Sequence, residues 1–386
     1  AQGSPQDGES WGQGRWTRRR LLQVRDSYMQ GRWLRAALPP LALLKGTVSK
    51  KAPVVARCED DEASREHLAA AVREANGWHF KMLRDADRAR KFEAALQKAV
   101  KPGDLVLDIG AGTGLLGLMA DRAGGTVYAC EANRSFAAVA RRIVQTNGAS
   151  FPIFAKSSHR LEVPGDLPKR ADVLVGEVLS SSLFGEGILA TFRDAHARLV
   201  RPGARVIPRR VALSFAVVEW DDFHRGSCAG EVAGFDVSAF NAFRVEHRLL
   251  ELPPSDSSAL RCLTAAQVGL EVDLGDPRDP LLADAGTLVR DFEAPAVAAG
   301  QCHLVVVWWD AWLDEEGEVR LSTNPFEELP PFRLGHWGTR GQVLPLGEGG
   351  AALAVGVGDV VRVRLTLRQD RSDPQPHFSV SVARRQ

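Results

Sequence analysis

The sequence predicts an α/β nucleotide-binding domain followed by a second domain made of antiparallel strands. Three observations predict it. Residues Leu105 to Glu131 read LVLDIGAGTGLLGLMADRAGGTVYACE, in the order strand, glycine turn, helix, strand, acid. Helical and short apolar segments then alternate as far as Pro208. Beyond Pro208 the period changes to two, as in Val211, Leu213, Phe215 and Val217, with Gly, Pro and acidic turns between short runs.

The first strand is the apolar run Leu105 to Ile109, and Gly110, Gly112 and Gly114 form the turn. Glycines there let backbone approach a ligand closely. Glu131, closing the second strand, can accept hydrogen bonds from ribose hydroxyls. A dinucleotide motif would place a third glycine at 115, where Leu115 stands, and Asp108 before the turn is also atypical for it. The run DIGAGTG resembles motif I of S-adenosylmethionine-dependent methyltransferases.

Upstream, Glu62 to Ala75 carries Leu68, Ala71, Val72 and Ala75 at helical spacing. In WHFKMLRDADRARKFEAALQKAV, Phe92, Leu96 and Val100 make an apolar stripe, and Asp85 and Arg88 share a face as an i,i+3 pair. Pro102-Gly103 ends that helix. Downstream, Phe136 to Gln145 reads as a helix, and Pro152 to Ala155 and Asp172 to Val175 as strands. Between these strands lie Ser157, Ser158 and His159, where a loop would meet an adenine. His159 reads either as a base contact or as a surface histidine. GEVLSSSLFGEG then places Glu177 after a strand and Glu186 nine residues on. Two carboxylates on one such loop suit a planar cation, because a guanidinium presents five donors in a rigid fork. Phe192 to Leu199 reads as a helix and Arg201-Pro202-Gly203 as a turn.

In the second domain, Leu304 to Trp309, Val361 to Leu367 and Phe378 to Val382 continue the strand pattern. Residues 221 to 248 interrupt it with Phe223, Phe235, Phe240 and Phe243, either as a packed excursion or as an arm that docks on a partner. LGHWGTRG sets His336 and Trp337 between glycines.

The 386 residues suffice for two domains, and 45% hydrophobic with 25% charged residues is ordinary for a soluble globular protein. The formal charge of +1 argues neither for nor against nucleic acid. Cys58, Cys130, Cys228, Cys262 and Cys302 are odd in number and scattered, with neither metal spacing nor a disulfide framework, which suits a reducing compartment. No apolar run is long enough to cross a membrane. Residues 1 to about 60 are least informative. Arg18, Arg19 and Arg20 suit a transit peptide, a nucleic-acid contact or a solvated tail, and Leu34 to Leu44 is apolar but broken by Pro39 and Pro40.

MLRDADR, VLDIGAGTG, YACE, the two-glutamate loop and the His-Trp loop occur in that order, and together they resemble the protein arginine N-methyltransferases over residues 75 to 386. The GEG after the loop and VVWWD look nearest the single-module, monomethylating type III branch; FKMLRD and LSTNPFEE give the symmetric dimethylating branch second place. The resemblance implies a Rossmann-like S-adenosylmethionine-binding domain followed by an antiparallel β-barrel domain with a dimerisation arm. Its expected boundaries are an extension over 1–60, a helical entry and methyltransferase domain over 61–207, and a barrel over 208–386 with the arm at 221–248.

The cofactor implied is S-adenosyl-L-methionine, leaving S-adenosyl-L-homocysteine, with no metal. Arg88 would bind the methionine carboxylate. Asp108, Gly110 and Gly112 would shape the pocket, Glu131 would hold the ribose, and Ser158 and His159 stand where family members place an acid against adenine. Glu177 and Glu186 would grip the substrate guanidinium, His336 would pair with Asp85 across the domains, and Met82 and Trp337 would border the substrate. The double-tyrosine motif of the family is absent, and Trp78 and Phe80 are the candidates for its aromatic wall. Monomethylarginine is the expected product. The alternatives are symmetric dimethylarginine, a small-molecule methyltransferase sharing motif I, and a non-catalytic scaffold. Expected partners are arginine-rich proteins, such as histones or RNA-binding proteins, and a second copy of the chain, with no membrane and no required nucleic acid. The expected location is cytoplasmic or nuclear.

Overall fold

A computed structural model describes residues 77–244, 246, 249–252, 259–327, 337–347, 351–371 and 374–384. The expected helix at 62–75, the arginine cluster at 18–20, the apolar segment at 34–44 and His336 lie outside these residues.

Helix α1 (Gly77–Arg84) and helix α2 (Ala86–Ala99) are separated at Asp85, whose side chain accepts a hydrogen bond from the Arg88 amide and so caps α2. The stripe at Phe92 and Leu96 is fully buried, and Val100 beyond the helix is buried with it. Five parallel strands follow: β1 (Leu105–Ile109), β2 (Thr126–Cys130), β3 (Ile153–Phe154), β4 (Ala171–Val175) and β5 (Val200–Ile207), ordered β3-β2-β1-β4-β5. All five residues of β1 are buried, as a central strand covered on both faces requires. Helices α3 (Leu115–Arg122), α4 (Arg134–Thr146) and α5 (Ile188–Asp194) lie between strands in the chain. The chain builds outward from β1 to β3, then returns to β1's other side with β4. Strand order therefore reverses between β1 and β4, and ligands of open α/β sheets bind in the crevice at such a switch point.

The expected turn at Arg201-Pro202-Gly203 lies inside β5. Val200 pairs with Ala171, but Val173 pairs with Arg205, so the intervening residues bulge out of register, with Gly203 at φ 70°. The turn residues were legible; that the strand resumes beyond them depends on pairing with β4.

Strand β6 (Arg210–Glu219) opens the antiparallel domain and pairs along its length with β9 (Leu304–Trp312) in a seven-stranded sheet. On β6's other edge runs β7 (Gln267–Asp273), and β10 (Arg340–Val343) pairs with β9. A three-stranded sheet, β8 (Thr287–Pro295), β11 (Val360–Arg368) and β12 (Pro376–Ala383), packs against this one. Phe215 meets Phe292 and Phe378, each at 5.2 Å between ring centroids. Buried Gln342 bonds both the amide and the carbonyl of Phe378, fixing β10 to β12. The excursion after β6 is a short helix, α6 (Asp221–Ser227), a two-residue hairpin and a 3-10 turn at Ser238–Phe243. Phe223 stacks on Trp220, whereas Phe235, Phe240 and Phe243 are 73%, 67% and 77% exposed.

Candidate active site

A cavity of about 860 Å³ opens at the carboxyl ends of β1 and β4, and the antiparallel domain contributes Glu251, Trp337 and Arg340 to its wall. The glycine turn forms its floor. Gly110 has φ 75°, and an added Cβ would stand 2.9 Å from Val178, so both conformation and space demand glycine. The Gly112 amide donates to Glu131 Oε2 at 2.9 Å, and the Asn133 amide to Oε1 at 2.8 Å. The Glu131 carboxylate is thereby held over the turn, each oxygen keeping a lone pair free of these amides.

Asp108 is fully buried. Its Oδ2 accepts from the Gly117 amide at 3.0 Å, and its Oδ1 has no partner among the described residues. Loss of water pushes its carboxyl up to about 7, against the pull of the Gly117 bond.

Arg88, on the first turn of α2, reaches across to Glu177 beyond β4. The ion pair is buried, with side chains 6% and 7% exposed. Arg88 Nε remains without a described partner. The i,i+3 pairing of Arg88 with Asp85 that spacing alone suggested is replaced: the Asp85 carboxylate receives the Arg88 backbone amide, and the guanidinium goes to Glu177.

Glu186 opens into the cavity, and no hydrogen bond or ion pair to its carboxylate exists among the described residues. The residue is exposed to the cavity, yet partial loss of water around its carboxylate, with Glu177 and Glu131 nearby, lifts its carboxyl to about 7.

Met82, Ser158 and His159 also line the cavity. Ser158 is buried, while His159 is turned partly outward with Nδ1 3.4 Å from Asp194. Phe80 is 58% exposed and does not line the cavity, so it supplies no aromatic wall. His79 does, edge-on to Phe136 with centroids 5.1 Å apart. The reason is helical phase: α1 turns residues 79 and 82 inward, which leaves 80 outside.

Trp337 is buried and donates its indole N–H to the Leu179 carbonyl at 2.7 Å. Trp309 of β9 stands edge-on to it at 4.8 Å and donates to the Ser180 carbonyl at 3.1 Å. Two indoles of the second domain thus grip the loop that joins Glu177 to Glu186. Sequence reasoning missed Trp309. The available signal was a tryptophan closing the apolar run Leu304 to Trp309, since a buried indole N–H needs an acceptor.

Fold and site together define a class: a parallel α/β cofactor domain whose paired-carboxylate loop is clamped by an antiparallel domain. No family model matches the chain. An arginine N(omega)-methyltransferase of Streptomyces achromogenes subsp. streptozoticus is 34% identical over 252 residues, covering 64% of this chain and 67% of that protein. Protein arginine N-methyltransferase 7 of Drosophila erecta is 33% identical over 290 residues, covering 67% of this chain and 40% of that protein, so the chain spans about two fifths of that relative. Among solved structures, the Trypanosoma brucei PRMT1 enzyme-prozyme heterotetrameric complex with AdoHcy matches with a TM-score of 0.63 at 20% identity, over 81% of this chain and 99% of that one. Arabidopsis thaliana protein arginine methyltransferase 10 matches with a TM-score of 0.60 at 17% identity, over 79% of this chain and 92% of that one. The chain belongs to the arginine N-methyltransferase family.

Proposed function

We propose that this chain transfers a methyl group from S-adenosylmethionine to a guanidinium nitrogen of arginine in protein substrates and stops at monomethylarginine. The observation that carries this reading is the placement of Glu177 and Glu186 on one clamped loop beside the glycine turn. The residues fit the cofactor: Glu131 offers an oriented carboxylate to vicinal hydroxyls, Arg88 keeps a buried unpartnered donor for a carboxylate, and Asp108 keeps a buried unpartnered acceptor. Ser158 and His159 stand on the wall for the base. S-adenosylmethionine supplies, when bound, an electrophilic methyl on a sulfonium.

The protein's own work is positioning and charge. An arginine side chain, with pKa above about 12, arrives protonated. Glu177 is already neutralised by Arg88, so Glu186 is the carboxylate with negative charge to spare for the guanidinium. Approach of that cation favours the ionised form of Glu186. Charge drawn toward the held nitrogens leaves the remaining nitrogen free to attack, and alignment of reactants supplies roughly 7–11 kcal/mol over a bimolecular encounter. Glu186, lifted to about 7, also suits the departing proton. Met82 on the wall would limit room for a second methyl.

Free arginine as acceptor is a second reading. Arg340 and Arg371 line the same cavity, and a guanidinium suits an α-carboxylate. Radiolabelled methyl transfer to an arginine-rich peptide and to free arginine, followed by amino-acid analysis of the product, tests both. Label in monomethylarginine of the peptide is expected; label in neither acceptor overturns the function.

We also propose a homodimer. The exposed phenylalanines of the arm suit burial against the helices around residues 110 to 145 of a second copy.

A further inference from the structure

Glu186 lies nine positions after Glu177, and only Glu177 is fixed by a side-chain bond, to Arg88. The orientation of Glu186 therefore comes from its backbone. That backbone is tied on one side by the Gly187 amide, which donates to the Phe184 carbonyl at 2.9 Å, and on the other through Ser180. Ser180 Oγ accepts the amide of Gly185, the residue before Glu186, at 2.8 Å and lies 3.1 Å from Ser182 Oγ. The Ser180 carbonyl accepts the Leu183 amide at 2.9 Å as well as the Trp309 indole at 3.1 Å. Between them, buried Leu183 is held at φ 73°, in the left-handed region that a branched side chain rarely occupies. A strained residue persists only where its surroundings over-determine it, and here the surroundings are the bonds of Ser180 on one side and the packed Phe184 on the other.

We propose that Ser180 is a positioning residue for Glu186: its hydroxyl knots the carboxylate loop, and its carbonyl passes the grip of Trp309 into that knot. The inference rests on the methyl-transfer reading above. A side chain at 180 that accepts a hydrogen bond holds Glu186 on the cavity wall; one that cannot lets the Leu183 turn relax and the carboxylate swing.

The test compares wild type with Ser180→Ala and Ser180→Thr. Two quantities are read: affinity for S-adenosylhomocysteine, and affinity of the S-adenosylhomocysteine-loaded protein for an arginine-rich peptide, both by calorimetry. Steady-state transfer is measured alongside. Ser180→Ala is expected to weaken peptide binding and raise KM for peptide about tenfold, with a lower kcat and cofactor affinity within about twofold, as misplacement of a reacting partner predicts. Ser180→Thr, which keeps the hydroxyl, is expected to recover most of the loss. A merely structural role would move cofactor and peptide affinity together. Should Ser180→Ala not yield folded protein, Ser180→Cys carries the test, because a thiol keeps the volume but accepts weakly. Peptide binding and KM unchanged in the alanine or cysteine variant overturn the inference, as does loss confined to cofactor binding. If wild type transfers no methyl to either acceptor, the function reading fails instead, and the peptide-affinity comparison still judges Ser180.

Discussion

Arg88 and Glu177 are both buried, so each depends on the other for its charge. Removing one leaves a buried ion alone, which typically costs about 3–5 kcal/mol. Arg88→Ala is therefore expected to lower the thermal midpoint and weaken S-adenosylhomocysteine binding, and Glu177→Gln in the same chain is expected to restore stability without restoring affinity. Stability unchanged in the single variant would remove the ion pair from this account. Glu186→Gln is the opposite case. Its carboxylate has no described partner, so the fold should tolerate the change and cofactor affinity should stay near wild type. Losing a charge-assisted contact to the guanidinium, worth about 1.5–3 kcal/mol, should lower kcat/KM at least about tenfold. A large fall in cofactor affinity would sink the assignment. The pH dependence follows from the same group. Asp108 and Glu186 both have carboxyls lifted to about 7 in the folded state. The folded chain thus holds these protons more tightly than the unfolded one. Their contribution to stability is complete below about pH 4 and is lost as pH rises through about 7. Denaturant midpoints of the cofactor-free protein should show a shallower decline over that interval in Glu186→Gln than in wild type; identical slopes would count against the lifted carboxyl.

Helix α2 carries Arg88 into the site, and its start is set by Asp85. The sequence placed Asp85 and Arg88 on one face correctly in spacing but not in partnership. A cap lies outside the helix it caps, so the two side chains do not stack as neighbours on a continuous helix would. Asp85→Ala is expected to destabilise the protein by about 0.5–2 kcal/mol, whereas Asp85→Asn, an equally good cap, should leave stability intact. If Asp85→Asn nonetheless lowers transfer, the carboxylate has a role in the reaction beyond capping; if both variants match wild type in stability, the cap does not matter. The carboxylate loop shows the same limit of local reading. Its two glutamates, its serines and its glycines were all legible, but nothing local could say that Trp309, from a strand more than a hundred residues later, holds it.

Across the whole molecule the two domains meet through directed bonds as well as packing. Trp309 and Trp337 donate into the loop, and Lys98 of α2 reaches Asp314 and Glu318 in the turn after β9, at 2.7 and 2.6 Å. The arm projects Phe235, Phe240 and Phe243 outward, and the rings of Phe240 and Phe243 lie 5.3 Å apart as one apolar patch. Val232 and Val237 on the same excursion are exposed as well, and an apolar patch of this kind is what the proposed dimer would bury. On the proposed dimer, wild type is expected to be dimeric by light scattering and the double variant Phe240→Asp with Phe243→Asp monomeric, and the variant's activity should fall if dimerisation braces the cofactor helices. A wild-type monomer with full activity would show the arm reading to be wrong.

The sequence by itself determined the order of elements, the glycine turn with Asp108 and Glu131 around it, and the pair Glu177 and Glu186. Each of these is a local pattern, set by backbone geometry over a few residues or by the periodicity of a single element. Tertiary structure alone decided which partner each charge takes: Arg88 turns from Asp85 to Glu177, His79 rather than Phe80 faces the cavity, and Arg201 to Gly203 bulge within a strand instead of ending one. It also decided that Trp309 and Ser180 meet. Such pairings depend on where burial removes water from a polar group, and that is settled only when distant segments pack, because an indole, guanidinium or carboxylate shut away from solvent must take whatever complementary partner the fold brings to it.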